Sequence, residues 1–399
     1  MSDSPVLFYC HQVDDPYSHL LAQALPPVLE RYGARLDPRL VPPPEPEMVP
    51  RPGLQAQWAR RDAADLARFY PVRFPADAAA PDPELVRQAN RILANVAAGD
   101  FAAVAVDLGD ALWAGEAGRM ERLAGAHGTL DDAATAQRLA ANAAERRARG
   151  HYQGGMLCLD GEWFWGLDRL DLLEERLRAV TGRHDGPPVF TTRDPEAFPA
   201  PAPDTPRRLE VWFSFRSPYS YLAIKRLPAL VERCGVEPVV KPVLPMVMRG
   251  LPVPPAKAAY IVRDTLREAG RHGIPFGRFH DPVGPGVERA MALFDLAREQ
   301  GRVLPYLDSV ATGIWAEAVD TASDEGLASL VARAGLDWSR ARPRLADPNW
   351  RGWAERHQQE LFAMGLWGVP SFRLGDYGTW GQDRMWMIEA RLRKLSGPA

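Results

Sequence analysis

Near its start and again past its middle, the chain repeats a pattern: residues 15–18 read DPYS and residues 217–220 read SPYS. An offset of 218 − 16 = 202 residues also places Leu20 on Leu222, Leu25 on Leu227, Pro26 on Pro228, Arg31 on Arg233 and Gly33 on Gly235, with no gap. A second echo closes each half. "GHYQGGMLCLDGEWFWGLDRL" from Gly150 matches "GLWGVPSFRLGDYGTWGQDRM" from Gly365 at an offset of 365 − 150 = 215, and both contain Trp-Gly-X-Asp-Arg. Two matches in the same order at nearly equal offsets predict duplication of a whole domain, because a solenoid needs shorter and more numerous periods. The 399 residues exceed one ordinary core. Two copies of about 180–190 residues are of normal domain size. The expected organisation is residues 1–182, a proline-rich linker over 183–207, and residues 208–399, the proline fixing the linker in a semi-extended state.

Each copy has one grammar. "VLFY" at 6–9 and "LEVWFSF" at 209–215 are β-rich, and each is followed by a helix ending at Gly33 or Gly235. Residues 237–243 form a further strand. From about Ala256 to Gln359 the apolar residues recur at helical spacing, as in "AAYIVRDTLREAG", which predicts an all-helical insert. "GVPSFRLGDYGTWGQDRMWMIEARLRKL" then reads as strand, turn, strand and amphipathic helix. A βαβ half, a helical insert and a ββα half make an α/β, thioredoxin-like domain. The expected fold is therefore two tandem thioredoxin-like domains, each with an inserted helical subdomain.

Charge and cysteine content narrow the functions. The net charge of −3, without lysine or arginine blocks, argues against nucleic acid and anionic membranes as partners. No run approaches a membrane span and the N-terminus lacks a signal-peptide pattern, so the protein is expected in the cytoplasm. Cys10, Cys158 and Cys234 are scattered and odd in number, which suits free thiols rather than a disulfide framework. The eight histidines show no ligand-type spacing, so no metal is expected.

Three segments can carry chemistry. Ser217-Pro218 is a helix start, since serine caps and proline occupies the first helical position. The same position concentrates unpaired N–H groups and the positive end of the helix dipole, so a hydroxyl there can stabilise a thiolate. Val369-Pro370 opens a strand, and a cis bond there would turn the Val369 backbone toward an extended ligand. Gln382-Asp383 opens the last helix, where Asp383 either complements the dipole or binds an ammonium group.

With these segments in view, the second half resembles the 2-hydroxychromene-2-carboxylate isomerases and kappa-class glutathione transferases, thioredoxin-like relatives of DsbA-type oxidoreductases. The resemblance is carried by "SFRSPYSYLA", "PPAKAAYIVRDTLREA", "WGVPSF" and "WGQDRM". It implies glutathione as cofactor, with Ser217 hydrogen-bonding its sulfur, Val369 and cis-Pro370 holding its cysteinyl backbone, Gln382 and Asp383 its γ-glutamyl end, and Lys257 assisting. Tyr260 and Asp264 match family positions of structural or functional use. In the oxidoreductase relatives a Cys-X-X-Cys pair occupies the positions of Ser217 and Ser220, so the chemistry expected here uses a borrowed thiol. The reaction implied is addition of the thiolate to a conjugated double bond, bond rotation and elimination, on a small aromatic substrate. Trp315, Trp367 and Trp380 are candidates for its pocket. A transferase, an oxidoreductase-like protein and a non-catalytic binding module are the alternative functions.

This chain departs from the family at Ser214, where an aspartate is usual, and lacks two usual asparagines. The first half departs further. Asp15 replaces the serine and Gly155 stands in the place of Pro370, while Trp165, Gly166, Asp168 and Arg169 persist. An ionised Asp15 would repel a thiolate. One working site in the second domain is expected, in a pseudo-dimer of the two domains or a homodimer.

Overall fold

A computed structural model describes residues 4–190 and 207–394. The chain divides into two compact units, Met1–Arg193 and Asp194–Ala399. The first opens with β1 (Val6–His11), α1 (Pro16–Tyr32) and β2 (Arg35–Leu40). Helices α2–α6 follow, over Pro52–Ala67, Pro83–Leu93, Phe101–Ala114, Ala117–His127 and Asp132–Ala148. β3 (Met156–Leu159), β4 (Glu162–Trp165) and α7 (Leu170–Thr181) close it. The second runs through β5 (Arg207–Phe213), α8 (Pro218–Cys234) and β6 (Val236–Pro242). Its insert, α9–α15, spans Pro255–Arg271, Pro285–Ala292, Phe294–Glu299, Val303–Ala316, Asp324–Arg333, Trp338–Ala341 and Trp350–Ala363. β7 (Ser371–Leu374), β8 (Tyr377–Trp380) and α16 (Met385–Lys394) complete the unit.

The sheets are ordered β2-β1-β3-β4 and β6-β5-β7-β8, with the βαβ pair parallel and the remaining pairs antiparallel. Their registers coincide under the two sequence offsets. Phe8 faces Cys158 as Glu210 faces Arg373, Met156 faces Trp165 as Ser371 faces Trp380, and Val6 faces Arg35 as Arg208 faces Glu237. Both halves are mixed α/β with thioredoxin-like sheets.

Alternation along β5 explains how the second sheet is covered. Leu209, Val211 and Phe213 join the core with Leu222, Leu227, Phe372 and Ile388. Burial of each large side chain stabilises the unit by about 2 kcal/mol. Glu210 and Trp212 point to the opposite face, where Lys241 lies 2.6 Å from Glu210 and 4.7 Å from the Trp212 ring centroid, and Arg373 also pairs with Glu210. The insert is continuous with the core: Val310 and Ile314 of α12 pack with Leu327 and Leu330 of α13. Gly313 permits this approach, since a Cβ there would stand 2.6 Å from Leu330 Cδ2.

β5 ends two residues short of the expected "LEVWFSF". Ser214 turns the chain instead, its carbonyl accepting from Ser217 N and its N–H donating to Ser220 Oγ. The opening of the proline-rich segment is fastened to the first unit. Glu174 accepts from Val189 N at 2.7 Å and Phe190 N at 2.6 Å, and Arg31 donates to the Pro187 carbonyl. Residues 191–206 of the expected linker lie outside the described residues. Among the described residues, no helix is long and apolar enough to cross a membrane.

Candidate functional site

The site begins at a helix cap. Ser217 has extended backbone angles, φ −103 and ψ 112, and its Oγ accepts from Ser220 N at 3.1 Å. Such a cap contributes about 1 kcal/mol and leaves the other first-turn N–H groups directed outward. The Ser217 hydroxyl then donates to the carbonyl oxygen of Val369 at 3.2 Å. The Val369–Pro370 peptide bond is cis. Pro370 is in turn joined to the start of the last helical segment, because Gly381 N donates to its carbonyl at 2.9 Å. Ser217, Val369, Pro370 and the Gln382-Asp383 pair are thus one connected arrangement.

The members of that pair differ. Gln382 is 1% exposed, donating to Glu268 at 2.7 Å and accepting from Arg226 at 2.5 Å, so its side chain is held inside the protein. Its neighbour Asp383 is 19% exposed and lies against Gly381, where a Cβ would come 2.3 Å from its Oδ1. Asp383 thus stays partly exposed, 3.9 Å from Arg384, while Gln382 links α8 to α9 through Arg226 and Glu268.

Lys257 comes from the first turn of α9, which the cap region holds directly: Tyr219 donates to Asp264 at 2.7 Å, and Arg267 pairs with the same carboxylate at 3.1 Å. Asp264 is fully buried, and this placement makes it a brace for α9. Burial lowers the Lys257 amine to about 8. Tyr260, on the same helix, is 8% exposed. The sequence reading missed the Tyr219–Asp264 bond, although its signal was present. Tyr17 donates to Asp62 at 2.9 Å in the first unit, and both pairs obey the 202-residue offset.

The tryptophans fall on two sides. Trp315 donates its indole N–H to the Phe215 carbonyl at 3.1 Å, two residues before Ser217. Trp380 lies beside Gly368, where a Cβ would meet its Nε1 at 2.5 Å, and contacts the buried Trp367 with centroids 4.7 Å apart.

The equivalent place in the first unit is filled. Asp15 Oδ2 accepts from Ser18 N at 2.9 Å and Ser18 Oγ at 2.7 Å. A Cβ on Gly155 would stand 3.1 Å from that oxygen, and one on Gly154 would stand 2.6 Å from Gln12 Cβ. The strand entry therefore packs directly on the cap. Burial raises the Asp15 carboxyl to about 6, against the lowering effect of its hydrogen bonds to Ser18. Behind it, Tyr9 OH is 2.7 Å from His11 Nδ1, and burial lowers His11 to about 3.

All three cysteines are free and buried. Burial pushes Cys10 up to about 12 and also raises Cys158 and Cys234, which disfavours their thiolates. The arrangement at Ser217 has a hydroxyl donor, a helix N-terminus and a strand-entry backbone, and it can hold an anion brought from outside.

Residues 208–393 match the model of the DSBA-like thioredoxin domain. The 2-hydroxychromene-2-carboxylate isomerase of Pseudomonas putida is 29% identical over 204 residues, covering 47% of this chain and 95% of that protein. The protein of the same name from Sphingobium xenophagum is 23% identical over 202 residues, covering 47% and 98%. A solved structure of a 2-hydroxychromene-2-carboxylate isomerase aligns with a TM-score of 0.42 and 24% identity, over 47% of this chain and 95% of that one. Over its second unit the chain is thus similar to DsbA-like thioredoxin domains and, at low identity, to proteins named as isomerases.

Proposed function

We propose that the second unit is a glutathione-dependent isomerase of the 2-hydroxychromene-2-carboxylate type, and that the first unit is a tandem duplicate without that site. The observation that carries this reading is the Ser217 hydroxyl at the N-terminus of α8, bonded to Val369 beside cis-Pro370. The identical sheet registers support the duplication.

The residues fit a thiol tripeptide. Bound glutathione would supply a thiolate that adds to a conjugated double bond, lets the resulting single bond rotate, and leaves again by elimination. Ser217 would offer its O–H, now donated to the Val369 carbonyl, to the sulfur, and the α8 N-terminus would favour the negative charge. The released Val369 carbonyl is then able to accept a peptide N–H. Asp383 receives the ligand ammonium group, Lys257 favours a carboxylate, and Gln382 fixes the helices that present them. A reducing cytoplasm, where such a thiol persists, is the fitting compartment.

The deciding experiment follows hydroxychromene carboxylate by absorbance with and without glutathione, in wild type and Ser217→Ala. No glutathione-dependent rate in wild type sinks the reading. If glutathione also fails to raise the melting temperature, a binding module that has lost this ligand becomes the better description.

A further inference from the structure

Immediately before the cap serine, Arg216 grips Asp281 with two hydrogen bonds, Nε to Oδ1 and Nη2 to Oδ2, both 2.7 Å. Asp281 belongs to the connection between α9 and α10, which runs along the end of α12: Gly277 N donates to the Trp315 carbonyl and His280 N to that of Ile314. The same connection supplies two rings. Phe276 stacks on Trp315 at 6.0 Å and 18°, and on Phe279 at 6.3 Å and 25°. The Phe279 and Trp315 centroids are 5.5 Å apart.

This stack begins at the cap and ends in solvent. Trp315 is 5% exposed and bonded to Phe215, whereas Phe279 is 41% exposed. A large aromatic face left in water forgoes a favourable burial, and stacking with a further ring would recover part of it. The rim carries a cation suited to a planar anion. A guanidinium has five N–H donors, and Asp281 engages only the Nε and Nη2 pair. Among the described residues Asp281 is the hydrogen-bond partner of Arg216, so the Nη1 side can meet a second carboxylate.

We propose that Phe279, Phe276 and Arg216 form the specificity subsite for an aromatic carboxylate: the ring extends the stack and the carboxylate binds the guanidinium. Asp281 sets the Arg216 rotamer and competes weakly with a ligand carboxylate for it. Arg216 is thus a specificity-determining residue, and the first unit has Asp14 in its place. The inference relies on the proposed isomerase reading for the reaction that follows binding, but not for binding itself.

The test uses the full chain without thiol. 2-Naphthoate and the neutral 2-naphthylmethanol are titrated calorimetrically. The acid is expected to bind about tenfold more tightly than the alcohol, the scale of one charge-assisted contact. Arg216→Gln should remove that advantage and leave the alcohol unchanged, whereas Phe279→Ala should weaken both about tenfold. Asp281→Asn should tighten the acid alone. Circular dichroism melts of each variant, together with Arg216→Lys as a charge-retaining control, separate binding from folding. Equal affinities in wild type, an acid preference that survives Arg216→Gln, or no effect of Phe279→Ala each overturn the proposal. Naphthoate binding with no glutathione-dependent turnover would sink the isomerase reading alone. Turnover that shows no KM change in Arg216→Gln would sink the subsite alone.

Discussion

The Ser217 hydroxyl donates to the Val369 carbonyl oxygen across 3.2 Å, joining a helix cap to the entry of a strand. The protein therefore holds its own donor in place. Replacing Ser217 by alanine should lower the glutathione-dependent rate by about 100- to 1000-fold, the range found for a single oxyanion-type donor. Stability should fall only by about 1 kcal/mol, the worth of a cap. Steady-state rates paired with urea melts check both; a rate loss no larger than the stability loss explains would refute the role.

Gln382 and Asp383 are adjacent but should respond differently. Gln382→Ala removes the side-chain link between Glu268 and Arg226, while Arg271 still pairs with Glu268 and the residue 382 carbonyl still accepts from Arg226; the cost should be about 1–3 kcal/mol and the melting point roughly 3–10 °C lower. Asp383→Asn should change the melting point little and abolish the glutathione-induced shift. Thermal melts with and without glutathione distinguish them. A large loss of stability in Asp383→Asn would contradict the assignment.

The first unit should respond to pH in two opposing ways. Asp15 has a folded value near 6, above its ordinary 3.8, so its contribution is fully present below 3.8 and lost as pH rises through 6. His11 has a folded value near 3, below its ordinary 6.5, so its contribution is present above 6.5 and lost as pH falls toward 3. Asp15→Asn should remove a fall in stability as pH rises from about 4 to 6. His11→Phe, which installs the residue found at the equivalent Phe213, should remove an opposing rise over about pH 3 to 6.5. Denaturant melts between pH 4 and 8 measure both slopes, and unchanged slopes would refute them.

Lys257 gives a pH signature in the second unit. With its amine lowered to about 8, it loses its charge as pH rises through that value. Glutathione affinity should fall over the same interval, and Lys257→Met should be weaker at pH 7 and lack the fall near 8. Calorimetric titrations from pH 6.5 to 9 check this. Equal limbs in both proteins would remove Lys257 from the site.

Much of this fold was legible because caps, glycines and alternation are local. Gly33 and Gly235 both adopt φ +60 where the offset puts the helix ends. The insert from Pro255 to Ala363 lies close to the span given by helical spacing. What escaped depends on residues far apart. Nothing near Gln382 announces that Arg226 and Glu268, 156 and 114 residues away, occupy its amide. The upward shift of the Asp15 carboxyl is hidden for a similar reason: its burial comes with packing of the Gly154-Gly155 entry against the cap, and residue type alone does not convey it. The Tyr219–Asp264 brace leaves a trace in the sequence, because the 202-residue offset sets Tyr17 and Asp62 on the same two positions.

The separation between Ser217 and Val369 also matters during synthesis. They are 152 residues apart, and at roughly 5–20 residues per second the ribosome needs about 8–30 s to make the second after the first. The intervening helices can begin to fold within that interval. The cap serine meanwhile has no Val369 carbonyl to donate to, and the contact can form only once the entry to β7 has been made. A nascent chain stalled before Val369 would carry Ser217 and Lys257 but not Val369, Pro370 or Asp383.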